Sequence, residues 1–102
     1  MAPPRYTKRS RRDLLDIWIG IARDNPVAAD RVYDRLEVRV RILEAFPEAG
    51  AARPEIAENA RVLIEAPYLI LYHILAGHVQ IVRVLHGAQD INAALFHEGA
   101  DE

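Results

Sequence analysis

The sequence predicts an α+β fold in which a helical hairpin packs on a small antiparallel β-sheet. Three observations lead there. Residues 14–46 place apolar side chains at helical spacing, with one break at Asp24-Asn25-Pro26. From Arg61 onward the period changes to two, in three runs separated by Ala66-Pro67 and Ala76-Gly77. A chain of 102 residues, 51% apolar, fits one domain with one core. The expected order is β-α-α-β-β-β with a short C-terminal helix, all in one domain over 1–102, with loose ends at 1–4 and 97–102.

Arg5 to Arg9 reads as a short strand with Tyr6 facing inward. Ser10 is a candidate N-cap, and Asp13 three residues on completes an approximate capping box. The first helix then runs to about Asp24, with Leu14, Ile17, Trp18 and Ile21 on one stripe. Gly20 costs this helix about 1 kcal/mol relative to alanine, so it is expected to mark close contact with another helix. Pro26 suits the first turn of a second helix reaching about Phe46, where Pro47 stops it. Ala29, Val32, Leu36, Val40 and Leu43 form its inner stripe. The link is so short that the two helices fold back on each other. The charges Asp30, Arg31, Asp34, Arg35, Glu37, Arg39 and Arg41 read as a solvated face laced with ion pairs.

Residues 47–60 hold Pro47, Gly50 and Pro54 and read as an irregular connection. Arg61 to Glu65 reads as a strand. Tyr68 to Leu75 is almost wholly apolar and should be central. His78 to Leu85 closes the meander, and Asp90 to Phe96 reads as a last short helix. Both helices need a surface to cover, so the hairpin must lie on one face of the sheet.

Cysteine is absent, which removes disulfides and thiolate chemistry and suits a reducing cytoplasm. No apolar stretch is long enough to span a membrane. The net charge of −2 conceals an asymmetry. Arg5, Lys8, Arg9, Arg11 and Arg12 occur in the first twelve residues with no acid, whereas the remainder is strongly acidic. The four histidines make no metal-ligating spacing, the single serine and threonine lie near the start, and the glycines form no phosphate loop, so no metal or cofactor is expected.

One constellation remains. Arg61 and Arg83 sit inside apolar strands, where a guanidinium must find a partner or reach solvent. Alternation places Arg83 with Ile81 and Leu85, and His86 on the other face. Arg83 either pairs with a buried carboxylate such as Glu65, snorkels past the sheet edge, or joins Arg61 on a concave face that meets an anion or a partner.

Read together, these segments resemble the ParE branch of the RelE/ParE toxin superfamily. The resemblance runs from about Arg5 to Ala94. It rests on Tyr6, Arg12-Asp13-Leu14-Leu15-Asp16-Ile17-Trp18, Pro26-Val27-Ala28-Ala29, Leu43 to Gly50, Arg61, Tyr68-Leu69-Ile70-Leu71-Tyr72 and Val79 to Gly87. It implies a toxin of a type II toxin–antitoxin (plasmid stabilization) system, held inactive by a ParD-type antitoxin in a hetero-oligomer. DNA gyrase is the implied target, and DNA contact is expected only through the antitoxin. Candidate target contacts are Arg61, Arg83 and His86; candidate antitoxin contacts are Trp18, Tyr33 and Leu36. The RelE branch cleaves messenger RNA on the ribosome, and here an endoribonuclease would have to use Arg61, Arg83 and His86. Residues 47–60 contain no lysine and no tyrosine follows Arg83, which argues against catalysis. Gln89 stands where the family often has arginine.

Overall fold

The computed structural model describes residues 1–87 and 91–100. The elements are β1 (Arg5–Tyr6), α1 (Lys8–Ala22), α2 (Pro26–Ala45), β2 (Ala51–Ala52), β3 (Ala60–Glu65), β4 (Tyr68–Leu75), β5 (His78–His86) and α3 (Ala93–Ala100). They build one five-stranded sheet in the order β1-β5-β4-β3-β2, so the apolar β4 is central as expected. The meander is antiparallel. β1 joins its edge parallel to β5, and the two-residue β2 joins the other edge out of what reads as pure loop.

α1 starts earlier than the sequence suggests. Thr7, not Ser10, is the N-cap: it leaves β1 in an extended conformation, and its hydroxyl oxygen accepts the Ser10 N–H at 3.2 Å. The Ser10 hydroxyl donates back to the Thr7 carbonyl at 2.9 Å, so Ser10 sits inside the first turn. A Cβ on Gly20 would meet nothing within 4 Å, so this glycine marks open surface and no helix contact. α2 is capped by Asn25, whose side chain accepts the Ala28 N–H at 3.0 Å.

The hairpin covers one sheet face as expected. Leu14, Leu36, Val40 and Leu43 pack on Leu63, Ile70, Tyr72, Val79, Ile81 and Val84. The second face is covered as well. α3 lies there, and Phe96 joins Ile56, Ala60, Val62, Leu71 and Val82 in a smaller cluster. Residues 97–100 therefore belong to a packed helix rather than a frayed tail, and Asn92 caps it through the Leu95 N–H at 3.1 Å. A Cβ on Gly99 would come within 2.1 Å of the Val82 carbonyl oxygen, so only glycine lets α3 sit this close. At the other end, the Ala2 N–H donates to Gly77 O at 3.1 Å, which ties down part of the expected loose start. Gln89, Asp90 and the last two residues lie outside the described residues.

A bulge in β5 decides which face its side chains reach. Leu71 pairs with Arg83 and Tyr72 with Ile81, so Val82 is an extra residue. Ile81 faces the hairpin, while Val82 faces α3. Arg83 stands opposite Leu71 and thus also lies on the α3 side. Simple alternation, which pairs Arg83 with Ile81, fails at this residue.

Candidate functional site

Among the described residues, the most buried charge is Arg83, 3% exposed. Its partner is Asp13 of α1, not Glu65. The Arg83 Nε donates to Asp13 Oδ2 at 2.7 Å and Nη2 donates to Oδ1 at 3.0 Å. Asp13 Oδ2 also accepts the Val84 N–H at 3.0 Å. This fork ties α1 to the bulged strand, with geometry that favours arginine over lysine. Two further charges gather around it. Arg9 Nε lies 3.5 Å from Asp13 Oδ1 and 3.4 Å from Glu98 Oε1, and Arg83 Nη1 lies 3.6 Å from Glu98 Oε2. α1, β5 and α3 therefore meet at two arginines and two carboxylates. Neither acid was singled out as a partner by sequence: Asp13 resembles a capping residue and Glu98 a tail charge. Glu65, the partner that strand alternation suggests, instead lies near Arg35 and Arg39 of α2, at 3.6 and 3.9 Å.

Arg61 is elsewhere. It stands opposite Tyr72, on the hairpin side of the sheet. Its Nη1 donates to Gly50 O at 2.7 Å and Glu48 O at 3.3 Å, so it braces the connection after α2. Tyr72 braces the same connection from below. Its hydroxyl donates to Pro47 O at 2.7 Å and accepts the Gly50 N–H at 2.8 Å. Burial pushes the Tyr72 hydroxyl pKa up, although the Gly50 bond and Arg61 work the other way. Tyr6 is pushed up to about 12, first by burial and then by the charge of Glu37 and a charged Tyr33. Arg11 stacks over the Tyr6 ring at 4.9 Å.

His86 is exposed, at the end of β5, with its ring edge-on to Tyr68 at 5.8 Å. It pairs with Tyr68 whereas Arg61 pairs with Tyr72, about 13 Å away along β4. The expected concave face shared by Arg61 and Arg83 is therefore not formed: the bulge puts the two arginines on opposite faces.

Of the antitoxin candidates, Trp18 and Tyr33 line a cleft of about 560 Å³ between α1 and α2, with Arg11, Leu15 and Asp30. The Trp18 indole N–H donates to Asp30 Oδ1 at 2.9 Å. Leu36 is 1% exposed and packs in the core, out of reach of a partner.

Comparison with known proteins fits this architecture. A family model described as the ParE toxin of type II toxin–antitoxin system, parDE, matches residues 5–91. The chain belongs to the ParE toxin family. Toxin RelE2 of Caulobacter vibrioides is 35% identical over 89 residues, covering 87% of this chain and 99% of that protein. Toxin ParE3 of the same organism is 29% identical, covering 81% and 84%. A chain of the chromosomal ParDE system from P. aeruginosa shares the fold, with a TM-score of 0.73 at 22% identity, over 84% of this chain and 96% of that one. The relatives carry both RelE and ParE names, so membership makes this a toxin of a type II toxin–antitoxin system and leaves its mode of action to be argued from the site. Among the described residues, no helix is long and apolar enough to cross a membrane.

Proposed function

We propose that this toxin arrests growth by binding DNA gyrase as a protein partner, without cleaving RNA, and that a ParD-type antitoxin neutralises it in the cytoplasm and carries any contact with DNA. The observation that carries the reading is the Asp13–Arg83 fork. Cleavage of a phosphodiester needs its cationic and proton-transferring groups within hydrogen-bond reach of one substrate. Arg83 spends two of its donors on Asp13 behind α3, Arg61 braces a loop on the opposite face, and His86 stands at the far end of the strand. That dispersal favours binding over chemistry. Of the three target candidates, His86 is exposed and Arg61 half-buried, while Arg83 is buried and serves to hold α1 to β5.

The test is a supercoiling assay with purified toxin and gyrase, run beside primer extension on translated messenger RNA. The expected result is lost supercoiling with trapped DNA cleavage complexes and an intact message. Codon-spaced cuts with unaffected gyrase would overturn the proposal in favour of the endoribonuclease.

A further inference from the structure

The charge cluster at the rim of α3 leaves two buried donors unused. Arg83 gives Nε and Nη2 to Asp13, but its Nη1 has no hydrogen-bond partner among the described residues, although the side chain is only 4% exposed. The Nε of Arg9 is buried and has none either. Both atoms face one carboxylate. Glu98 Oε1 lies 3.4 Å from Arg9 Nε, and Oε2 lies 3.6 Å from Arg83 Nη1. A good charge-assisted bond is shorter, at about 2.7–2.9 Å. An unmade bond from a buried charged donor is costly, and folded proteins satisfy nearly all such groups.

Glu98 is a poor occupant of this position. Its backbone is fixed, because Phe96 and the close approach of Gly99 to Val82 hold α3 on the sheet. Its side chain is half exposed, so water competes for its oxygens. Such a side chain can turn outward about its own bonds, and the opening it leaves uncovers both unused donors. The cluster then sets two guanidiniums against Asp13 alone, with one positive charge in excess.

We propose that Arg9 and Arg83 form a binding site for a small tetrahedral oxyanion of the phosphate class, with Glu98 as the carboxylate that the ion displaces. The oxygens of such an ion are spaced much as those of a carboxylate, so it bridges the same two donors. It is untethered, so it closes to hydrogen-bond distance of both. Planar guanidinium donors suit this ligand better than an ammonium does. The α3 backbone crosses beside the site, and a Cβ on Gly99 would fall 2.7 Å from Arg83 Cδ, so the space is that of a small ion rather than a nucleic-acid backbone. The bound ion ties α1 to β5 and releases Glu98 from the cluster. Such a site serves a toxin of either mode of action.

Titration with inorganic phosphate, against chloride at matched ionic strength, tests this by NMR of the isotope-labelled toxin. The Nε–H signals of Arg9 and Arg83 should shift with phosphate, reach saturation, and stay in place with chloride. A parallel titration with adenosine monophosphate separates the sources: shifts with phosphate alone mark the free ion, and shifts with both add an esterified terminal phosphate. Glu98→Gln removes the competing charge from an exposed side chain and should tighten phosphate binding at least threefold. Arg9→Gln keeps the Asp13–Arg83 fork and should weaken it at least tenfold. Phosphate also stabilises proteins in general by exclusion from their surface, but that effect is common to all three proteins and singles out no Nε–H signal. Shifts that chloride reproduces or that never saturate would overturn the proposal, and this wild-type result decides alone if Arg9→Gln does not fold. An affinity unchanged by Arg9→Gln or by Glu98→Gln would overturn it too.

Discussion

The two faces of the sheet are covered in different ways. On one, two long helices bury a broad apolar cluster that includes Leu36, Leu43, Ile70 and Tyr72, each at most 1% exposed. On the other, eight residues of α3 rest on a smaller cluster through Phe96 and the close approach of Gly99. The first face is held by area. The second is held by a few specific contacts, and its rim is the charge cluster around Arg83. Area tolerates local damage, since its many small terms are shared. A buried ion pair does not, because losing one partner strands the other without water.

The largest predicted effect follows from that difference. Asp13→Ala should destabilise the protein by about 4 kcal/mol, within the ~3–5 kcal/mol range for breaking a buried pair. It takes both short bonds from the Arg83 guanidinium, leaving the exposed Glu98 carboxylate at 3.6 Å, and removes the acceptor of the Val84 N–H. Urea denaturation measures it. The double variant Asp13→Leu, Arg83→Met should recover much of the loss, because it removes both charges together. If the single variant costs under 1 kcal/mol, the fork does not hold the second face.

A step down in size, truncations compare the two faces directly. Leu36→Ala should cost about 3 kcal/mol, in the usual ~2–5 kcal/mol range for a buried leucine. Phe96→Ala should cost about 2 kcal/mol, below the ~3–5 kcal/mol typical of a buried phenylalanine, because a short end helix can settle into the space. Hydrogen exchange separates them further. Phe96→Ala should speed exchange in α3 alone, whereas Leu36→Ala should speed it through α1, α2 and the strands. Global acceleration by Phe96→Ala would show that the faces are one cooperative unit.

The same contrast explains what could be read from sequence. The hairpin is long and periodic, and the Tyr68–Leu75 strand is a continuous apolar run between Ala66-Pro67 and Ala76-Gly77, so both are placed by the sequence pattern. β1 and β2 have two residues each, too few to show a period. α3 is misplaced by several residues because its buried side rests on Phe96 and Gly99, while His97 and Glu98 look like tail. The Arg83 site was half legible. An arginine in an apolar strand does announce a buried acid, but its partner is 70 residues away, and an unannounced bulge sets the direction in which the side chain points. Nothing local in the sequence distinguishes Asp13 from an ordinary capping acid.

The smallest effect is a pH dependence that belongs to one face. All four tyrosines pack with the hairpin-side cluster: Tyr68 and Tyr72 within it, Tyr6 and Tyr33 against it. Tyr6 is raised to about 12 and Tyr72 is also raised above 10, both chiefly by burial. The folded state thus holds these protons more tightly than the unfolded chain does. Their contribution is fully present below pH 10 and is lost as pH climbs through the folded values, for Tyr6 near 12. Few other groups titrate there, since Lys8 is the only lysine and arginine keeps its proton. The melting temperature should therefore fall between pH 10 and 12. Tyr6→Phe should flatten the fall, and Tyr72→Phe should flatten it while lowering stability at neutral pH by about 1–2 kcal/mol through the Gly50 and Pro47 bonds. Phe96→Ala should leave the slope unchanged, because the face it loosens contributes no tyrosine to the transition. A slope that Tyr6→Phe leaves untouched would mean that its hydroxyl is not withdrawn from water.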